Sequence, residues 1–107
     1  MFKIADRIEF SRRVPIRVPT DGGFEEQSLE VRFRYLSEEE RKRIAEKDAD
    51  AGFLREAIVH IGDVVDEDGK ELPYNDRLRD RLLDLPFVLG PLMEAYVEAA
   101  LGERAKN

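Results

Sequence analysis

Ser28-Leu29-Glu30-Val31-Arg32-Phe33-Arg34-Tyr35-Leu36-Ser37-Glu38-Glu39-Glu40 contains the change of period on which the fold depends. Leu29, Val31, Phe33 and Tyr35 take one set of alternate positions, and Ser28, Glu30, Arg32 and Arg34 take the other. That is the period of a half-buried strand. Ser37 then stands three residues before Glu40, the S-x-x-E spacing of a capping box, in which two side chains satisfy orphan N–H groups at a helix start. A strand gives way to a helix at this point.

Working towards residue 1, Ile8, Phe10, Val14, Ile16 and Val18 alternate with Arg7, Glu9, Ser11, Arg13 and Arg17. Arg12 interrupts the apolar face and marks a candidate bulge. Pro15 lacks a ladder donor and belongs on an edge strand or at an irregularity. Pro19-Thr20-Asp21-Gly22-Gly23 is a dense turn signal, so the two alternating segments should pair antiparallel. An isolated hairpin is marginal in water, and its apolar face needs helices to cover it.

Working towards residue 107, the capped helix should run to about Glu46, its acidic first turn and later Arg41, Lys42, Arg43 and Lys47 complementing the helix dipole. Asp48 or Asp50 can cap a second helix, in which Phe53, Leu54, Ala57, Ile58 and Ile61 recur at helical spacing until Gly62. An acidic turn follows, cornered at Asp68-Gly69. Asn75 or Asp76 caps a third helix carrying Leu78, Leu82, Leu83 and Leu85, limited by Pro86. The last helix starts near Pro91, or near Phe87 with a lost bond at Pro91, and Gly102 ends it. The expectation is one α+β domain over 1–107: a strand half, 1–36, forming an antiparallel hairpin or small sheet, packed by about four helices in a helical half, 37–102, with a polar tail, 103–107.

Composition narrows the function classes. With 18 Lys plus Arg against 24 Asp plus Glu the net charge is −6, which repels phosphate backbones unless a local basic patch overrides it. There is no cysteine, which excludes disulfides and thiolate chemistry, and His60 is the sole histidine. No run has the length of a membrane span, and Lys3 and Asp6 come too early for a signal-peptide apolar region, so a cytoplasmic location is expected.

Signals of chemistry are weak. Aligning Gly69 with the glycine of a calcium loop puts Val64 and Asn75 at obligatory ligand positions, so Asp66-x-Asp68-Gly69 reads as a turn. Gly22-Gly23 lacks the Lys and Ser or Thr of a phosphate loop. No nucleophile of recognisable context accompanies His60. The expectation is therefore no catalytic residue, no metal and no cofactor. Arg12, Arg13, Arg17, Arg32 and Arg34 form a candidate basic stripe for nucleic acid or a regulatory role, although Glu9 and Glu30 share the hairpin with them. The sharper feature is the last helix, whose apolar residues exceed the stripe a surface helix needs. Leu89, Leu92, Met93, Tyr96, Val97 and Leu101 are the candidate contacts for a protein partner or for self-association.

Three runs together resemble a known family: Ile16 to Gln27, Val65 to Tyr74, and Leu82-Leu83-Asp84-Leu85-Pro86-Phe87-Val88 continuing to Ala95-Tyr96. Their order, a hairpin half, a D-x-D-G turn, a Leu-rich helix ending in Leu-Pro and a closing helix with Ala-Tyr, resembles the small tail assembly chaperones of long-tailed bacteriophages and prophages. The resemblance implies a non-enzymatic protein of the bacterial cytoplasm that coats the helical tape measure protein, keeping it soluble until tail tube subunits displace it. His60-Ile61-Gly62 departs from the aromatic residue expected before the acidic turn, as does Pro91 in the last helix.

Overall fold

The structure, a computed structural model, describes residues 1–45 and 49–102. Glu46, Lys47, the proposed cap Asp48 and the polar tail 103–107 lie outside the described residues. Two strands of 12 residues, β1 (Glu9–Thr20) and β2 (Gly23–Arg34), form the hairpin. They are followed by α1 (Glu38–Ala45), α2 (Ala49–Ala57), β3 (Ile58–Gly62), α3 (Asp76–Leu83) and α4 (Pro86–Leu101). β3 pairs antiparallel with β2, so the sheet order is β1-β2-β3 and the fold is α+β.

The hairpin register is unbroken from Glu9 opposite Arg34 to Thr20 opposite Gly23. Gly23 takes φ 143°, a conformation L side chains rarely enter, which is why glycine closes this turn. Residues directly opposite share a face. Phe10, Val14, Leu29 and Phe33 therefore face the helices, while Glu9, Ser11, Arg13, Glu30, Arg32 and Arg34 form the outer face. The bulge expected at Arg12 is not where the sheet is irregular: Arg12 pairs regularly with Val31. Its long side chain escapes the apolar face at the open edge of β1, donating to the Ser11 carbonyl at 2.8 Å and lying 5.5 Å from the Phe10 ring.

The irregularity lies instead between Arg32 and Phe33, where β2 meets β3. It corrects the reading of the second helix. That helix stops at Ala57, and Ile58 to Gly62 form the third strand, inside what the sequence presents as a helical half. Val31 faces Ile61, Arg32 faces His60, and Phe33 faces Ile58, leaving Val59 as the extra residue. This shift puts Ile58 and Ile61, three apart, on the same buried face, a spacing that otherwise belongs to a helix.

The core lies between the sheet and α2, α3 and α4, with Val31, Phe33, Leu36, Leu54, Ile61 and Leu92 fully buried. Tyr96 of α4 meets Phe53 edge-on at 4.8 Å between centroids and Phe33 at 5.6 Å. Its hydroxyl accepts the buried Leu36 N–H at 3.0 Å, which satisfies a backbone donor where the chain leaves the sheet. Local signals fix the helix ends. Ser37 N–H donates to Glu40 Oε1 at 3.0 Å and Glu40 N–H to Ser37 Oγ at 3.2 Å, a closed capping box. Asn75 caps α3 by accepting the Leu78 N–H at 2.8 Å. Leu85 leaves α3 altogether and is the N-cap of α4, with Pro86 in the first turn, where its missing donor costs nothing. Of the two starts considered for the last helix, the earlier one holds, and Pro91 sits inside it.

Candidate functional site

α4 carries two apolar stripes side by side, each advancing four residues at a time. Val88, Leu92 and Tyr96 are buried against the sheet and α2. Leu89, Met93, Val97 and Leu101 run beside them and remain partly accessible, Leu101 most of all at 58%. This splits the six candidate contacts. Leu92, fully buried, and Tyr96, bonded to Leu36, belong to the core and do not reach a partner. The other four form a continuous outer ridge, while Gly90, Glu94 and Glu98 keep the solvent side small or polar.

The ridge borders a shallow cleft of about 50 Å³ walled by Tyr35, Phe53, Met93, Val97 and Ala100, with Arg41 at its edge. Through Arg41, Phe53 and Met93 it continues into a wider hollow of about 290 Å³ between α1 and α2, reaching Ile44 and bordered by Glu38, Lys42 and Asp50. Tyr35 and Ile44 were not legible as site residues, because they come from other elements and only packing brings them beside α4. Tyr35 is the last apolar residue of the strand alternation, exposed because β2 ends at Arg34. Burial raises the Tyr96 hydroxyl pKa above its ordinary 10.0, so the phenol at the cleft floor stays neutral. The cleft alone is far below the volume of small-molecule sites and the hollow it opens into is wide and bordered by charge, whereas rows of apolar side chains rimmed by mixed charge suit the apolar stripe of a helix.

The basic stripe divides. Arg12 lies on the helix-facing side, so it is not part of one face with Arg13, Arg17, Arg32 and Arg34. Arg13 contacts both Glu30 and Asp63 at 2.9 Å and donates to Ser28 Oγ at 3.0 Å. Arg32 pairs with Glu9 at 2.9 Å, and Arg34 reaches Glu40 at 3.3 Å and Glu56 at 3.4 Å. Arg17 lies 3.5 Å over the Phe24 ring. Hydrogen bonds from Arg7 and Arg32 pull the Glu9 carboxyl below its usual range, and the Ser37 N–H does the same for Glu40. These acids are tuned as ion-pair partners, not raised towards proton transfer.

Other sequence features settle locally. The Asp66 carboxylate accepts the N–H groups of Asp68 and Lys70, both at 2.9 Å, and Gly69 takes φ 82° at the corner. His60 is exposed on β3 with its ring 5.3 Å from Tyr74. Among the described residues no three acidic or histidine side chains are grouped to hold a metal, and no helix is long and apolar enough to cross a membrane. No protein-family model matches this chain, and no curated protein or solved structure matches it.

Proposed function

We propose that this protein is a non-enzymatic assembly chaperone that holds the apolar stripe of a helical client along the outer ridge of α4. The observation that carries the reading is the second stripe, Leu89, Met93, Val97 and Leu101: Leu89 and Met93 pack against the core with part of their surface accessible, Val97 is half-buried, and Leu101 is exposed. Its neighbours supply the groove walls, and the net charge of −6 keeps such a complex soluble. The resemblance of the hairpin, acidic turn and closing helix to tail assembly chaperones makes the tape measure protein the proposed client, held in the bacterial cytoplasm until tail tube subunits replace the chaperone. The alternative role in nucleic-acid binding is disfavoured by the acids paired with Arg13, Arg32 and Arg34. Co-expression with a tape measure protein tests the proposal: the client stays in the soluble fraction with the native chaperone and precipitates with Val97→Lys. Added salt also separates the two roles, since counterion release makes nucleic-acid binding fall steeply while an apolar contact persists.

A further inference from the structure

β1 is an edge strand: among the described residues it pairs with β2 alone. Directly opposed residues of an antiparallel ladder alternate between pairs that exchange both backbone bonds and pairs that exchange none. Tyr35 N–H donates to the Ile8 carbonyl at 2.8 Å, one step beyond the pair Glu9 with Arg34, and the register then runs unbroken to Thr20. Ile8 and every second residue after it therefore turn their backbone groups to β2. Glu9, Ser11, Arg13, Pro15, Arg17 and Pro19 turn theirs away, to the open edge. Both prolines of the strand thus fall where a missing N–H costs the ladder nothing. Helix α4 does not close this edge: between them lies a hollow of about 220 Å³ lined by Arg12, Pro15, Pro91 and Glu94. Ser11, Arg13, Pro15, Arg17 and Pro19 are all exposed.

We infer that Arg12, Pro15 and Pro19 are gatekeepers that stop an extended strand, including β1 of a second copy, from adding to the sheet. An exposed edge of 12 residues is a template for strand addition, because each outward residue ordinarily offers both a donor and an acceptor. The prolines disarm the half nearest the hairpin turn, leaving Arg17 as the sole outward donor between Arg13 and the turn. A strand laid there meets a proline ring at Pro15 and again at Pro19 where its own carbonyls need an N–H. The other half keeps the outward donors of Glu9, Ser11 and Arg13, and there Arg12 acts. Its backbone faces β2, while its guanidinium turns out and donates at 2.8 Å to the Ser11 carbonyl, one of the outward acceptors. A strand entering at Ser11 competes with this bond and covers a cation that lies 5.5 Å from the Phe10 ring, and a charge covered without a partner is costly. An inward-facing charge and edge prolines are the devices by which sheets refuse further strands. This refusal concerns extended chains and is independent of the α4 ridge, which is proposed to receive a helix.

Restoring the donors gives the test. The native chain and a triple variant, Arg12→Thr with Pro15→Thr and Pro19→Thr, are compared by light scattering across a concentration series; threonine suits a strand and restores the N–H without adding a large apolar side chain. The variant should at least double its mass relative to the native chain at the upper end of the series. Adding Ser11→Pro, a proline at another outward position, should return it to the native mass. Pro15→Thr with Pro19→Thr replaces the triple variant if the latter melts well below the native protein. Amide hydrogen exchange of the native chain supplies a second readout: Phe10, Arg12, Val14 and Ile16 should be protected, while Ser11, Arg13 and Arg17 exchange freely. A folded edge-opened variant that keeps the native mass, association that survives in a folded variant carrying Ser11→Pro, or protected Ser11 and Arg13 amides in the native chain overturns the inference.

Discussion

Tyr96 ties three elements together through one ring and one hydroxyl. Tyr96→Phe keeps the ring contacts but leaves the buried Leu36 N–H without its acceptor, so it should cost about 1–3 kcal/mol in denaturant unfolding. Ionisation acts through burial: the Leu36 N–H favours a phenolate acceptor, but the buried site disfavours the charge more strongly. Because the folded-state pKa of Tyr96 is raised above 10.0, the folded protein holds this proton more tightly than the unfolded chain. Its contribution is therefore complete below pH 10 and declines as pH rises past that value. Stability followed through alkaline pH should fall in the native protein and fall less in Tyr96→Phe. Asp63 is a second residue under local demand, with φ 63° after β3 and its carboxylate on Arg13. Asn tolerates that backbone region and a β-branched residue does not, so Asp63→Val should destabilise clearly more than Asp63→Asn in thermal melts.

At the scale of elements, the junction at Ser37 shows local chemistry setting a boundary. Ser37→Ala opens the capping box and should cost about 1 kcal/mol, measurable as a lower denaturant midpoint at unchanged slope. The hairpin and this cap were legible because side-chain alternation and S-x-x-E spacing report directly on neighbouring backbone. β3 was not. Its bulge against β2 places Ile58 and Ile61 on one buried face, so a strand reproduces helical spacing, and only the pairing with Phe33 and Val31 distinguishes them. α4 shows a comparable limit: sequence identified an excess of apolar residues but could not say that Leu92 and Tyr96 face the sheet while Met93 and Val97 face the groove. Substitution separates the stripes. Leu92→Ala should lose about 2–5 kcal/mol by emptying a fully buried position, whereas Leu101→Lys should leave the melting temperature nearly unchanged.

Taken as a whole, the molecule measures 49 × 33 × 31 Å, its hairpin extending past the helices that cover the other end of the sheet. The core occupies the middle; α4 begins beside a second apolar groove, near Ile16 and Val18, and ends beside the cleft at Tyr35 and Leu36. Two accessible apolar surfaces on one small acidic chain suit the proposed covering of a client, and the α4 ridge is where that contact is proposed. Fluorescence anisotropy with a labelled apolar-striped helical segment of a tape measure protein measures it most directly, comparing the native chain with Val97→Lys at matched stability. Binding should weaken by about tenfold or more, a loss of roughly 1.4 kcal/mol, with the melting temperature preserved. Equal affinity for a folded Val97→Lys protein would rule out the α4 ridge as the client site.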